Sequence, residues 1–160
     1  MVKVLFVCLG NICRSTMAEG VFRHLVEKEG LSSKIQCDSA GTAAYHIGEL
    51  ADPRTLRVLA NNGIKLSHLG RQISKKDFQD FDIILAMDNS NFQDILAVSP
   101  DNESSKKVFL FRDFDKGFEG KDVPDPYYGN MEGFNEVYEI TNRGGIALID
   151  YIYKNFNIKK

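Results

Sequence analysis

The sequence predicts an α/β fold, a single doubly wound domain covering residues 1–160, with a four-stranded parallel sheet flanked by helices. Three observations predict it. Apolar stretches of strand length alternate with amphipathic stretches of helical length. The 160 residues are 43% hydrophobic and 26% charged, an ordinary balance for one domain with a sizeable core. No internal repeat, low-complexity tract or linker divides the chain.

Residues 2–7, VKVLFV, are apolar and rich in β-branched side chains, and Gly10 closes this first strand. Ser15 or Thr16 then supplies a helix N-cap. Met17, Val21, His24, Leu25 and Lys28 follow at helical spacing, and Gly30 stops the helix. Residues 34–39 form a second strand and residues 41–49 a loop. Asp52-Pro53 opens a helix that ends at Asn61-Asn62-Gly63. A third strand covers residues 82–87, and Asp88 or Ser90 caps a helix that ends before Pro100. Residues 107–111 form the fourth strand. Residues 112–132, rich in Asp, Gly and Pro, are irregular. A last helix covers residues 133–156, with Phe134, Val137, Leu148 and Ile152 on one stripe and Gly144-Gly145 as a weak point. Right-handed crossovers gather the strand C-termini on one edge, where such sheets bind ligands.

Composition narrows the function. Twenty basic against twenty-two acidic residues, a net charge of −2, argue against a nucleic-acid partner, whose phosphates demand clustered Lys and Arg. The apolar run of residues 4–9 is far short of the roughly 20 residues of a membrane span, and Gly10-Asn11 follows it without a cleavage pattern. A cytoplasmic protein is expected. Three cysteines make an odd count for a disulfide framework, and with three scattered histidines they offer no grouped metal ligands. No metal and no cofactor are expected.

The chemistry concentrates after the first strand, in Cys8-Leu9-Gly10-Asn11-Ile12-Cys13-Arg14-Ser15. Only Cys8 has arginine six positions on; Cys13 reaches Glu19 and Cys37 reaches Ala43. A strand before it, a helix after it and a glycine for the bend give this C-x5-R-S run its context. A loop wrapped around one point, with the amides of residues 9 to 14 directed inward, is an anion nest, and the helix adds its positive end. Arg14 can clamp two phosphate oxygens at once. The same positive groups favour a thiolate at Cys8, and Ser15 can donate a hydrogen bond to it. A thiolate at the floor of a phosphate cradle is a phosphoryl acceptor. Asn11 sits mid-loop, where asparagine tolerates a left-handed backbone.

The run from Val7 through Ser15 resembles the phosphate-binding loop of the low-molecular-weight protein tyrosine phosphatases. The resemblance continues through residues 38–42, His68, Arg71-Gln72-Ile73, residues 82–88 and Asp125-Pro126-Tyr127-Tyr128, covering essentially the whole chain. It departs at Thr16, where many members carry proline. The resemblance implies a metal-free phosphatase acting on phosphotyrosine proteins and releasing inorganic phosphate. It also implies that Asn11, Ser15, Ser39 and His68 hold the shape of the loop.

A tyrosyl group leaves poorly as a phenolate, so a positioned acid is needed. Residues 122–128 offer Asp122 and Asp125, and prolines on both sides of Asp125 restrict its backbone. The resemblance selects Asp125. Tyr127, Tyr128 and, from the 41–49 loop, Tyr45 are candidates for the walls of a slot that stacks on an aromatic ring. Two other readings compete. An arsenate reductase on this scaffold needs a relay of further cysteines, and residues 87–96 hold none. A non-catalytic phosphate-binding module would lack Cys8 or Asp125, and both are present. Cys13 stands five residues from Cys8, and a loop turned back on itself brings the two within reach of a reversible disulfide. Cys37 reads as a core filler, and His24 and His46 carry no partner pattern.

Overall fold

The computed structural model describes residues 1–159. Strands β1 (Val2–Cys8), β2 (Ile35–Gly41), β3 (Ile83–Ala86) and β4 (Val108–Leu110) form one parallel sheet in the order β2-β1-β3-β4. Its helices are α1 (Arg14–Lys28), α2 (Pro53–Asn61), the one-turn α3 (Asp77–Asp80), α4 (Asn89–Val98), the one-turn α5 (Asn102–Ser105) and the long α6 (Met131–Asn155).

The unbroken apolar run of β1 reflects burial on both faces. Val4, Phe6 and Cys8 point into a core shared with α1, α2 and α6, while Leu5 and Val7 pack with Phe78, Ile84 and Ile95 on the other side. Phe6 meets Phe22 and Phe111 edge to face, at ring separations of 5.5 and 6.1 Å. Such pairs add roughly 0.5–1.5 kcal/mol each beyond burial. The helix after β1 and the helix after β3 thus lie on opposite faces of adjacent strands. That arrangement opens a crevice at their C-terminal ends, beside Cys8 and Met87-Asp88.

Several sequence expectations shift. The cap of α1 is Cys13, which makes no side-chain cap bond. Ser15 and Thr16 lie inside the first turn, both buried, because the loop needs the Ser15 hydroxyl turned back on itself and Thr16 bonds the Cys13 carbonyl at 3.1 Å. Asp88 rather than Ser90 caps α4, accepting from Asn91 N at 2.6 Å. Asp52 caps α2 with Pro53 at the first position, as expected. Helix α6 starts at Met131 under an Asn130 cap and runs through Gly144-Gly145 without a break. These glycines are close-packing positions. A Cβ on Gly144 would stand 2.5 Å from Phe111 Cε1, and one on Gly145 would stand 2.8 Å from Leu25 Cδ1. The one-turn helices α3 and α5 and the 3-10 turn Phe111–Phe114 carry no sequence period and went unpredicted.

Candidate active site

The segment between Cys8 and Arg14 turns around the Cys8 sulfur. Asn11 takes a left-handed φ of 57°, the conformation expected of it, and its amide donates to Cys8 Sγ at 3.3 Å. The loop carbonyls are taken up outside. Thr42 N donates to Cys8 O at 2.9 Å, Ala43 N to Leu9 O at 3.0 Å, Asp52 N to Ile12 O at 2.8 Å and Met17 N to Cys13 O at 3.1 Å. Each trans peptide sets its N–H opposite its C=O, and the chain has no cis peptide among the described residues. The amides of Leu9, Gly10, Cys13 and Arg14 are therefore directed to the loop interior. Gly41 makes room for this turn, since a Cβ there would stand 2.7 Å from Leu9 O.

Behind the loop the hydrogen-bond directions are determined by their ends. Arg71 N can only donate, and it bonds Asn11 Oδ1 at 3.0 Å, so the Asn11 amide nitrogen is the donor to Ser15 Oγ at 2.8 Å and Ser39 Oγ at 3.0 Å. Ser39 passes its own hydrogen to Glu19 Oε1 at 2.7 Å. Ser15 has one hydrogen left, and it faces Cys8 Sγ at 3.1 Å. The chain of donors thus ends on the sulfur.

His68 closes this network. Its Nδ1 faces the Glu19 and Asp38 carboxylates at 3.1 and 3.3 Å, and its Nε2 faces Asn11 Oδ1 at 2.8 Å. Both nitrogens meet acceptors, so both must donate, and the ring is an imidazolium. Burial alone would lower its pKa, but the bonds to Asp38 and Glu19 outweigh it and hold the value at about 9.

Arg14 is almost fully buried. Its Nη1 donates to Asp88 Oδ2 at 2.7 Å and to Val123 O at 3.0 Å, while Nη2 lies 3.9 Å from Asp125 Oδ2. Asp88 thus serves both as the α4 cap and as the partner that orients Arg14. Asp125 is half exposed, and its Oδ1 accepts from Tyr127 N at 3.1 Å. Asp122 instead binds Asn89 N and Nδ2 at 2.8 and 2.7 Å, which fastens the loop to α4.

Cys8, Leu9, Gly10, Ile12, Cys13 and Arg14 line a cavity of about 220 Å³ together with Tyr45, His46, Asp125, Tyr127 and Tyr128. All three tyrosines named from the sequence reach it. Tyr127 and Tyr128 meet edge to face at 4.9 Å, and Tyr128 is 92% exposed. Asn11, Ser15, Ser39 and His68 stand behind the loop rather than along the cavity. His46, to which the sequence assigned nothing, lines the mouth beside Tyr45. Asp88 was read as a cap but not as the partner of Arg14, and Glu19 and Arg54 were missed. Each is brought to the site by a separate element, and no local spacing announces it.

The other two thiols are held in the protonated form. Burial first, and then the neighbouring Asp52 carboxylate, push Cys13 well up. Burial would also raise Asp52, but bonds from Arg54 and the Cys13 thiol hold it below the usual carboxylate range. Burial pushes Cys37, half-buried on β2, up to about 12.

Comparison with known proteins gives a consistent answer. A family model described as "Low molecular weight phosphotyrosine protein phosphatase" matches residues 3–157. A relative of that name from Schizosaccharomyces pombe is 50% identical over 151 residues, covering 94% of this chain and 92% of its own. The crystal structure of a protein tyrosine phosphatase from Entamoeba histolytica superposes with a TM-score of 0.91 at 39% identity, covering 99% of this chain and 100% of that one. A Drosophila structure described as an arginine phosphatase superposes at 0.88 with 38% identity, over 96% of this chain and 99% of its own.

Proposed function

The chain belongs to the low-molecular-weight phosphotyrosine protein phosphatase family, and on that premise we propose that it hydrolyses phosphotyrosine monoesters with Cys8, Arg14 and Asp125 as the reacting groups. The observation that carries this reading is the pair of donors on the Cys8 sulfur, Asn11 N at 3.3 Å and Ser15 Oγ at 3.1 Å, inside a loop whose amides turn inward. A sulfur so placed is a nucleophile under an oxyanion.

In the first step Cys8 attacks phosphorus and the bond to the phenolic oxygen breaks. Asp125 gives its proton to that oxygen, so a phenol departs and a cysteinyl phosphate remains. The loop amides and the free edge of Arg14 meet the three equatorial oxygens as charge spreads over them. Asp88 and Val123 O both use Nη1, which leaves Nε and Nη2 of Arg14 for the phosphate oxygens. In the second step Asp125, now a carboxylate, takes a proton from water. The oxygen attacks phosphorus, the S–P bond breaks, and inorganic phosphate is released. The Ser15 hydroxyl stabilises sulfur as nucleophile and again as leaving group. No step calls for a metal or another cofactor.

Tyr45, Tyr127 and Tyr128 with Leu9 and Ile12 make a largely apolar slot above the sulfur. Its aromatic walls can stack on a phenyl ring, so phosphotyrosine is the assigned substrate. Among the described residues no helix is long and apolar enough to cross a membrane. A nucleophile that must stay a reduced thiol suits the cytoplasm.

The test is hydrolysis of aryl phosphates and of paired phosphotyrosine and phosphoarginine peptides, in chelator. The account expects turnover of the phosphotyrosine peptide and none after Cys8→Ser, with phosphate affinity kept within about tenfold because the cradle is mostly backbone. Asp125→Asn should lower kcat/KM for phenyl phosphate on the order of 10²- to 10⁴-fold and far less for a highly acidic phenol, whereas Asp122→Asn should cost little. Steady turnover by Cys8→Ser would end the assignment.

A further inference from the structure

The first turn of α2 touches both halves of the cavity. On one side Asp52 N donates to Ile12 O at 2.8 Å and Thr55 Oγ1 to Cys13 O at 3.4 Å, so the turn is bolted to the loop that carries Cys8. On the other side Arg54 reaches across to the stretch that carries Asp125. Its Nη2 donates to Tyr127 O at 3.0 Å and its Nη1 to Gly129 O at 3.3 Å. The guanidinium is itself held in place. Nε and Nη2 bond the two Asp52 oxygens at 3.0 and 2.9 Å, and the guanidinium carbon sits 4.4 Å from the centre of the Phe134 ring.

The stretch it holds has no regular structure of its own. Between the 3-10 turn ending at Phe114 and the start of α6 at Met131 there is no helix or strand, and Asp125 is half exposed. Asp125 Oδ1 is tied to Tyr127 N at 3.1 Å, within the same short turn whose carbonyl Arg54 holds. The path from the nucleophile loop to the acid is therefore short: Ile12 and Cys13 carbonyls, one turn of α2, Arg54, Tyr127, Asp125.

We infer that Arg54 is a positioning residue for the proton-transfer step, setting the height of Asp125 over Cys8 by clamping the Tyr127 and Gly129 carbonyls to the α2 turn. The inference rests on the roles proposed above for Cys8 and Asp125. Arginine suits the task because one flat fork serves a carboxylate, two carbonyls and a ring face together. Lysine has a single donor head and no plane. A partly exposed ion pair such as Arg54–Asp52 adds little to global stability, so the fork matters for the geometry it imposes. A displaced acid costs rate only where protonation of the leaving group matters.

The experiment measures kcat/KM for phenyl phosphate and 2,4-dinitrophenyl phosphate in the wild type, Arg54→Ala, Arg54→Lys and Asp125→Asn. Inhibition by inorganic phosphate and the thermal midpoint are recorded beside them. Arg54→Ala should lose about 10- to 100-fold on phenyl phosphate and less than about threefold on the dinitrophenyl ester, the scale expected of a misplaced catalytic group. Phosphate inhibition should stay at the wild-type level, and added guanidinium ion should restore part of the phenyl phosphate rate. Arg54→Lys should show the same selective loss in smaller measure, and it decides the question alone if the alanine variant does not fold. Equal losses on both esters, or no loss on phenyl phosphate, would overturn the inference. If Asp125→Asn is itself unselective, the assignment of the acid fails first. If Asp125→Asn is selective and both Arg54 variants are not, only the role of Arg54 falls.

Discussion

Protonation of His68 links the stability of this enzyme to the shape of its Cys8–Arg14 loop, and the size of the link follows from the contacts. Folding raises the pKa of His68 from an ordinary 6.5 to about 9: burial lowers it, but the bonds to the Asp38 and Glu19 carboxylates outweigh burial. A raised value means that the folded state binds the proton more tightly than the unfolded one. The stabilisation is therefore complete below about pH 6.5, falls by about 1.4 kcal/mol per pH unit above it, and is gone beyond about pH 9. Across that window the loss is on the order of 3 kcal/mol, or roughly 6–12 °C in thermal midpoint for a domain of this size. Calorimetry of the wild type and His68→Gln from pH 6 to pH 10 isolates the effect, since other groups titrate in both proteins. The difference between the two midpoints should shrink steadily between pH 6.5 and 9. NMR titration of the His68 ring should give a midpoint near 9. A midpoint near 6.5, or a midpoint difference that does not change with pH, would refute the reasoning.

Three further outcomes are expected. Gly144→Ala should cost roughly 1–3 kcal/mol by urea unfolding, because its Cβ has no room against Phe111. Mild peroxide should join Cys8 to Cys13 in a disulfide that a thiol reductant reverses, and Cys13→Ser should lose activity irreversibly under the same treatment; peptide mass mapping that finds Cys8 as sulfinic acid with Cys13 free would contradict this. Because burial and Asp52 hold the Cys13 thiol protonated, the disulfide should form faster as pH rises, read from the rate of activity loss that reductant restores.

What the sequence disclosed and what it hid divide along a physical line. The turn from Cys8 to Ser15 was legible because its residues lie in one short run, and a strand, a tight turn and a helix follow from local spacing alone. The sheet was legible because β1 and β3 are buried on both faces and read as unbroken apolar runs. Ser15 was read both as a helix cap and as a donor to the Cys8 sulfur; the fold keeps only the second, because the cap position falls to Cys13 and the Ser15 hydroxyl lies 3.1 Å from Sγ. Asp88 was recognised as a cap, but its second oxygen meets Arg14 from 74 residues away. Glu19 and Arg54 look like ordinary charged positions on amphipathic helices. Their partners, His68 and Tyr127, arrive only through tertiary packing. Gly144 and Gly145 looked like defects because helix propensity counts the missing side chain and not the neighbour that occupies its space.

The central claim is that the Cys8 sulfur takes the phosphoryl group. Rapid acid quenching of the enzyme during turnover of an aryl phosphate, followed by peptide mass mapping, observes that bond directly. The account predicts one phosphoryl group on the peptide carrying Cys8, building up within the first turnover, enriched in Asp125→Asn supplied with a highly acidic phenyl ester, and absent from Cys8→Ser. Turnover with no phosphorylated Cys8 at any quench time, or a phosphoryl group on another residue, would contradict it.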